Sequence, residues 1–118
     1  RHEVTTYPEV LLVRIDESLY FPNAAYLEDQ MLGCVADNPE IDNIVLICSA
    51  VNYIDTSALE VLEKLIHELY DSGVILSLAE VKGPVMDRLR EIGFIHELGE
   101  DRVFLSTHLA VQALTSAG

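Results

Sequence analysis

The sequence predicts an α/β domain with a mixed, mostly parallel sheet of four to five strands and about four helices. Short apolar runs, typical of buried strands, alternate with segments whose apolar residues recur every three or four positions, as on a helix. The connections between successive strands in the middle of the chain are about 25 residues long, which favours parallel neighbours with right-handed crossovers. The 118 residues suffice for one hydrophobic core.

The first third of the chain predicts three strands and a helix. Residues 3–6 alternate weakly and indicate an edge strand ahead of Pro8. Residues 10–15 indicate a buried strand, and residues 19–21 a short second one. Asn23 is the predicted cap of a helix that ends at Asn38-Pro39. The apolar positions of this helix are Ala24, Leu27, Met31, Cys34 and Val35.

The rest of the chain continues as alternating strands and helices. Residues 44–48 form an uninterrupted apolar run, the pattern of a strand covered on both faces. A helix follows from about residue 56 to residue 70, with Leu59, Leu62, Leu65, Ile66 and Leu69 as its buried stripe and Glu60–Lys64 as an expected ion pair. A strand is predicted at 74–81, and a helix then starts at Gly83-Pro84, has Val85, Leu89 and Ile92 as its apolar positions, and is closed by Gly93. The last two predicted elements are a short strand at 103–104 and a helix capped by Ser106. The apolar side of this last helix carries Leu109, Ala110, Val111, Ala113 and Leu114.

The charge balance argues against nucleic acid as a partner. Lysine and arginine together number 7 and aspartate and glutamate 20, so the net charge is −13. An acidic surface repels nucleic acid and anionic lipid unless a basic patch intervenes. Arg88 and Arg90 are near each other, but Asp87 and Glu91 interleave with them, so the sequence shows no such patch.

The remaining bulk features indicate a cytoplasmic setting. Cys34 and Cys48 lack metal-site spacing, so we expect two buried, reduced thiols. The sequence shows neither a signal peptide nor an apolar run of the roughly 20 residues that span a bilayer. The chain starts without Met, and we expect it to be part of a longer protein.

The segment Asp55-Thr56-Ser57 concentrates more chemistry than any other. It lies where a buried strand should lead into a helix, and helix starts attract phosphate through unpaired N–H groups and the helix dipole. A phosphate would suit this position as a ligand or as a modification of Ser57. The alternative is helix capping, either by a capping box of Ser57 with Glu60 or by Asp55 itself.

The turn at Tyr20-Phe21-Pro22-Asn23 also lies between a strand and a helix. Neighbouring parallel strands would place it on the same rim of the sheet as Asp55, where ligands of open α/β sheets bind. The alternative is that Tyr20 and Phe21 pack beneath the first helix. No nucleotide, metalloprotease or hydrolase motif is present, and no nucleophile has a base at a recognisable spacing.

Three segments resemble a STAS domain, the fold shared by bacterial anti-sigma-factor antagonists and the cytoplasmic C-terminal domain of SulP anion transporters. They are residues 10–24 (VLLVRIDESLYFPNA), residues 49–59 (SAVNYIDTSAL) and residues 78–85 (LAEVKGPV). The first and third are similar to the SulP branch in particular. The likeness extends from about residue 10 to residue 114.

The resemblance implies that residues 1–118 are a single STAS domain. The parent would be an integral membrane transporter of sulfate or a related anion such as bicarbonate or a carboxylate, with this part at the cytoplasmic face. In the antagonists the second hydroxyl residue of the motif is phosphorylated, and it corresponds to Ser57, while Asp55 corresponds to the acid that begins the motif. Ala58 stands where antagonists usually have glycine, which weakens the inference of phosphorylation.

We therefore expect a non-catalytic regulatory and interaction domain that needs no cofactor or metal. Its expected partners are the membrane part of the transporter, a second STAS domain or a soluble cytoplasmic protein. The predicted contact rim comprises Phe21, Pro22, Asn23, Ala24, Asp55, Thr56 and Ser57. The alternatives are a free-standing antagonist switched by phosphorylation at Ser57, and a nucleotide-binding sensor.

Overall fold

The computed structural model describes residues 2–6, by their backbone, and residues 9–115. Within these ranges it contains five strands, five helices and one 3₁₀ turn. They are β1 (His2–Thr6), β2 (Val10–Ile15), α1 (Phe21–Asp37), β3 (Asn43–Ile47), α2 (Thr56–Asp71), β4 (Ile75–Ala79), α3 (Gly83–Glu91), α4 (Phe94–Leu98), the 3₁₀ turn (Glu100–Arg102), β5 (Val103–Phe104) and α5 (Thr107–Thr115).

The five strands form one sheet in sequential order, which confirms the predicted mixed, mostly parallel sheet. The edge strand β1 is antiparallel to β2, and β2 to β5 are mutually parallel. Leu12 pairs with Val45, and Val45 with Ser77, across the central strands. Parallel pairing brings the loops that follow β2, β3, β4 and β5 to one rim of the sheet.

Helices cover both faces of the sheet. In β2 the side chains of Leu11, Val13 and Ile15 enter the larger core cluster, which also holds the buried residues of α1 to α4. The alternate residues Val10 and Leu12 point to the opposite face, where α5 packs. Each of these five β2 residues is buried, as the apolar run predicted, since both faces of the sheet are covered.

The start of α1 differs from the prediction. Residues 19–21 do not form a strand, because only Leu19 makes a bridge, with Ile54. Tyr20 is the N-cap and the helix begins at Phe21, so Asn23 lies in the first turn instead of capping it. Pro22 suits this position because the first backbone N–H groups of a helix need no intrahelical partner. The Asn23 side chain accepts a hydrogen bond from the Tyr20 N–H at 2.7 Å, which stabilises the same helix start from within.

A short helix after α3 was not predicted. Gly93 adopts a left-handed conformation with φ of 82°, which ends one helix and lets α4 begin in a new direction. Phe94 and Ile95 enter the core. Ile92, which the sequence placed on the apolar face of α3, is exposed. The predicted strand at 74–81 is shorter, since β4 ends at Ala79.

Several side-chain predictions are also corrected. Lys64 pairs with Glu28 at 3.6 Å and with Glu68 at 3.8 Å, so the expected partner Glu60 is not the one it contacts. Cys48 is buried, and this burial raises its pKa to about 12, with the negative charge of Glu80 as a smaller cause. Cys34 is only partly buried. On α5 the apolar side is narrower than predicted, because Leu109 and Ala113 are exposed.

Candidate functional site

The two turns of the predicted rim lie against each other. The Leu19 N–H donates to the Tyr53 carbonyl at 2.9 Å, and the Asp55 N–H donates to the Leu19 carbonyl at 3.0 Å. With the bridge between Leu19 and Ile54, these bonds extend the parallel pairing of β2 and β3 beyond the ends of both strands. The structure therefore brings together the two segments that the sequence placed on one rim.

Ser18 and Asn23 fix the first turn against the second. The Ser18 hydroxyl oxygen accepts hydrogen bonds from the N–H groups of Asn52 at 3.2 Å and Tyr53 at 3.1 Å. The Asn23 amide donates to the Ser18 carbonyl at 2.8 Å. Because these bonds satisfy backbone groups of two loops at once, they hold the rim in a fixed shape.

The Asp55-Thr56-Ser57 segment starts α2, and Asp55 is its cap. One carboxylate oxygen of Asp55 accepts the Ala58 N–H at 2.7 Å. The capping box of Ser57 with Glu60 is therefore wrong, and the alternative that Asp55 caps is confirmed. Ser57 lies exposed in the first turn of α2, and Thr56 beside it is exposed as well.

Aromatic side chains next to this helix start face solvent. Tyr20 is 48% exposed, Phe21 55% and Tyr53 43%, so Tyr20 and Phe21 do not pack beneath the first helix. The rings of Tyr20 and Tyr53 lie 6.0 Å apart at 42°, a tilted pair. The Arg88 guanidinium lies 5.2 Å from the centre of the Tyr53 ring. We call Tyr20, Phe21, Tyr53 and Arg88 the aromatic cluster of the rim.

Two cations at the rim have only neutral partners in these contacts. Lys82 donates to the Asn52 side-chain oxygen at 2.6 Å, and Arg88 donates to the Ile54 carbonyl at 3.0 Å and to the Thr56 hydroxyl at 3.4 Å. Within residues 9–115 neither takes part in an ion pair. The rim therefore holds two cations near the carboxylate of Asp55, an arrangement that the interleaved charges around Arg88 did not predict.

The predicted rim residues differ in how accessible they are. Phe21, Pro22, Thr56 and Ser57 are exposed, and Asn23 is partly buried and engaged in the loop contacts. Ala24 is completely buried in the core, so its side chain is not offered to a partner. Whether any molecule docks on these residues stays a prediction.

Sequence reasoning missed Tyr53, Lys82 and Arg88 as rim residues. Lys82 lies 30 positions from its partner Asn52, and Arg88 lies 34 from Ile54. Only the crossover from β3 to β4 brings these positions together. A signal was nevertheless present, because Tyr53 immediately precedes the Ile54-Asp55 pair in the quoted motif.

Glu80 joins the rim to the opposite face of the sheet. Its carboxylate accepts hydrogen bonds from the Thr107 N–H at 3.0 Å and the Thr107 hydroxyl at 2.6 Å, at the start of α5. These two bonds lower the pKa of the Glu80 carboxyl below its ordinary value. Among residues 9–115, no group of three or more histidine, cysteine, aspartate or glutamate side chains is placed to hold a metal ion.

The mostly parallel sheet, the helices on both faces and the capped Asp-Thr-Ser helix start define a small α/β domain with an exposed rim. Residues 1–110 match the family model of the STAS domain. The chain therefore belongs to the STAS domain family, which confirms the resemblance.

Relatives and solved structures place the chain more finely within this family. It is 31% identical over 120 residues to Sulfate transporter 1.3 of Arabidopsis thaliana, covering 94% of this chain and 18% of the relative. A sulfate transporter family protein from Wolinella succinogenes matches with a TM-score of 0.77 and 26% identity, covering 98% of this chain and 93% of the other.

The anti-sigma factor antagonist SpoIIAA in its unphosphorylated form matches with a TM-score of 0.72 and 10% identity, covering 98% of each chain, and shares the fold alone. The chain thus spans about a fifth of the transporter relative and is homologous to that part of it. None of the described helices combines the length and the apolar character needed to cross a membrane.

Proposed function

We propose that this chain is the non-catalytic regulatory and interaction domain of a SulP-type transporter of sulfate or a related anion, located at the cytoplasmic face of the membrane. The observation that carries the proposal is the aromatic cluster beside the Asp55-Thr56-Ser57 helix start. Tyrosine and arginine are the residues that most often dominate the energy of protein interfaces. The homology to a sulfate transporter supports the parent, and the rim supports the mode of action.

The rim is suited to docking because its shape is fixed before a partner arrives. Leu19, Ser18 and Asn23 hold the two loops together through backbone and side-chain hydrogen bonds. A preorganised surface loses less conformational entropy on binding. The partners we propose are the membrane part of the parent, a second STAS domain or a soluble cytoplasmic protein, and the chemistry of such a contact involves no bond-making.

The test uses the full-length parent with Phe21→Ala and Tyr53→Ala together. We expect altered anion uptake with unchanged amounts of transporter at the membrane, because both side chains are exposed and contribute little to the core. Ile92→Ala is the control, since Ile92 is a large exposed apolar side chain just beyond the end of α3, away from the rim. Equal uptake in the double variant, the control and the unmodified transporter would reject docking through the aromatic cluster.

A second candidate is partner switching by phosphorylation at Ser57. The exposed position of Ser57 near the start of α2 favours it, because phosphate there gains from the helix dipole. Asp55 opposes it by repulsion. If phosphorylation matters, Ser57→Ala and Ser57→Glu should change partner binding or transport in opposite directions. Identical behaviour of the two variants would count against the switch.

A nucleotide-binding role for the rim is the third candidate. The cationic side chains of Lys82 and Arg88 would favour phosphate groups. An NMR titration with GTP and ATP, in which the amide signals of residues 52–58 are monitored, tests this role. Unchanged signals at millimolar nucleotide would dismiss this role without affecting the docking proposal.

A further inference from the structure

A second surface feature lies at the opposite end of the sheet from the rim. A groove of about 430 Å³ opens between the last turns of α2, the amino end of β4, α4 and the 3₁₀ turn. This volume lies in the range of small-molecule sites, which is about 300–1,000 Å³. The aromatic cluster takes no part in it, so the groove is independent of the docking proposal.

The floor of the groove is apolar. It is made by Ile66 from α2, Val74 and Leu76 from the entry into β4, and Leu98 from α4. Val74, Leu76 and Leu98 belong to the core, so the floor is rigidly packed from below. The ring of Tyr70, which is largely exposed, forms one wall. Such a surface favours an apolar ligand body by removing it from water.

The lip of the groove is polar. His67 and Glu97 are joined across it by a hydrogen bond of 3.0 Å between Nε2 and Oε1, which connects α2 to α4. Asp101 is exposed and Arg102 is half-buried, and both also line the groove. Glu97 already has a partner in His67, and the Asp101 carboxylate is exposed to water, so the half-buried Arg102 is the group whose charge remains to be satisfied.

Arg102 is exceptional among the lysine and arginine side chains of residues 9–115. The structure gives it neither an ion pair nor a hydrogen bond through its guanidinium. The others have partners: Arg14 bonds Asp16, Lys64 contacts Glu28, Lys82 bonds Asn52, Arg88 bonds the Ile54 carbonyl, and Arg90 contacts Glu100. A partly desolvated guanidinium without a partner is costly, and a carboxylate is its best geometric match.

We propose that this groove binds a small molecule with an apolar body and a single carboxylate. The carboxylate pairs with the Arg102 guanidinium through two parallel hydrogen bonds, and the body lies on Ile66, Val74, Leu76 and Leu98. The carboxylates of Glu97 and Asp101 and the net charge of −13 disfavour a second negative group on the ligand. A fatty monocarboxylate and an apolar amino acid share this chemistry.

The test is an NMR titration of the 118-residue chain with hexanoate, in which the methyl signals of Ile66, Leu76 and Leu98 are monitored. Hexanol and adipate serve as matched ligands, since the first lacks the charge and the second carries it twice. We expect saturable shifts with hexanoate and affinity at least about tenfold weaker with hexanol, as the loss of one charge-assisted bond pair predicts. Adipate should also bind more weakly than hexanoate, because its second carboxylate is repelled by Glu97 and Asp101. A parallel titration with leucine distinguishes the two kinds of ligand. If leucine binds more tightly than hexanoate, the ligand is an apolar amino acid, and if it binds more weakly, the ligand is a fatty monocarboxylate.

Variants of Arg102 connect the binding to this residue. Arg102→Gln should lower the affinity for hexanoate about tenfold and leave the affinity for hexanol unchanged. Arg102→Lys should have an intermediate affinity for hexanoate, because lysine keeps the positive charge but cannot form the two parallel hydrogen bonds. Lys82→Gln is the control, since Lys82 is exposed at the rim, at the opposite end of the sheet, and bonds Asn52 there. Equal binding of hexanoate and hexanol, absence of saturable shifts, or no effect of Arg102→Gln in a folded variant would overturn the proposal.

Discussion

At the level of single residues, the helix start at Asp55 shows how one carboxylate serves structure. Its oxygen bonds the Ala58 N–H at 2.7 Å, and its charge faces the positive end of the helix dipole. Ser57, two residues further along the chain, does not cap the helix and is exposed. The Asp55-Thr56-Ser57 segment therefore contains one residue that fixes the helix, Asp55, and one that remains available at the surface, Ser57.

The first prediction concerns this division. We expect Asp55→Ala to lower the free energy of unfolding by about 1 kcal/mol, since it leaves an N–H at the helix start without a side-chain partner. Asp55→Asn should recover most of this loss, because the amide oxygen can still cap. Ser57→Ala should be nearly neutral. Urea unfolding of the three variants measures it, and a larger loss for Ser57→Ala than for Asp55→Ala would contradict the assignment of the cap.

Glu28 is the residue with the clearest electrostatic cost. Its side chain is only 12% exposed between α1 and α2 and approaches Lys64 at 3.6 Å. Burial raises the pKa of the Glu28 carboxyl above its ordinary value of 4.5, the neighbouring Glu68 carboxyl raises it further, and Lys64 opposes both. The folded state therefore holds the proton on Glu28 more tightly than the unfolded chain does.

The second prediction follows from the sign of this shift. A raised pKa in the folded state contributes stability that is complete below the ordinary pKa and is lost as pH rises through the folded pKa. Glu28→Gln should thus be more stable than the unmodified chain at pH 7, with the difference vanishing near pH 4. Glu60→Gln, on the exposed side of α2, is the control and should change little. Thermal unfolding at both pH values tests this, and a gain that is larger at pH 4 would contradict it.

At the level of elements, the apolar periodicity was sufficient for most of the fold. The strand at Val10–Ile15 and the helix from Thr56 were predicted nearly to the residue, because their patterns are long and regular. Ser106 caps α5 as predicted, accepting the Leu109 N–H at 3.1 Å. The five-residue α4 was missed because a helix so short has no full period and depends on the turn at Gly93.

The candidate site was only partly predictable, for a different reason. Its two loops were placed on one rim because parallel strands end together, and the structure brings them together. The cap assignment stayed open because Asp55 and Ser57 are both good capping residues, and only coordinates separate them. The contact of Lys82 with Asn52 arises from tertiary packing, which no local pattern records.

Glu80 gives the third prediction, at the junction of β4, α3 and α5. It adopts φ of 61°, a conformation that side chains rarely take, and its carboxylate holds the start of α5. Glu80→Ala should lose both hydrogen bonds to Thr107 and keep the unfavourable positive φ, costing about 2 kcal/mol or more. Glu80→Gly loses the same bonds but relieves the backbone, so it should be about 1 kcal/mol more stable than Glu80→Ala.

Chemical unfolding of the two Glu80 variants measures this difference. Unfolding at a series of pH values provides a second measurement, because the pKa of Glu80 is lowered in the folded state. The stabilisation that Glu80 contributes is therefore present above its ordinary pKa and is lost as pH falls through its folded pKa. Both variants should therefore lose less stability on acidification than the unmodified chain. Equal stability of the alanine and glycine variants would show that the positive φ carries no cost here.

At the scale of the whole molecule, the net charge of −13 is unevenly distributed. Lys82 and Arg88 gather at the rim, while exposed acids such as Asp29, Glu40 and Glu91 cover other parts of the surface. Repulsion among like charges opposes the compact state, and salt screens charges that lie more than about 10 Å apart. The pair of Lys64 with the largely buried Glu28 is screened less.

The fourth prediction is that sodium chloride stabilises this domain. The melting temperature should rise between 10 mM and 150 mM salt on the order of a few degrees, because screening weakens the self-repulsion of the acidic surface. A triple variant, Asp29→Asn, Glu40→Gln and Glu91→Gln, should melt higher at low salt and respond less to added salt. Sucrose at matched osmolality controls for general exclusion effects, since it screens no charge. A melting temperature that falls with salt would mean that attractive pairs such as Lys64 with Glu28 outweigh the repulsion, and the acidic surface would then not be what limits stability.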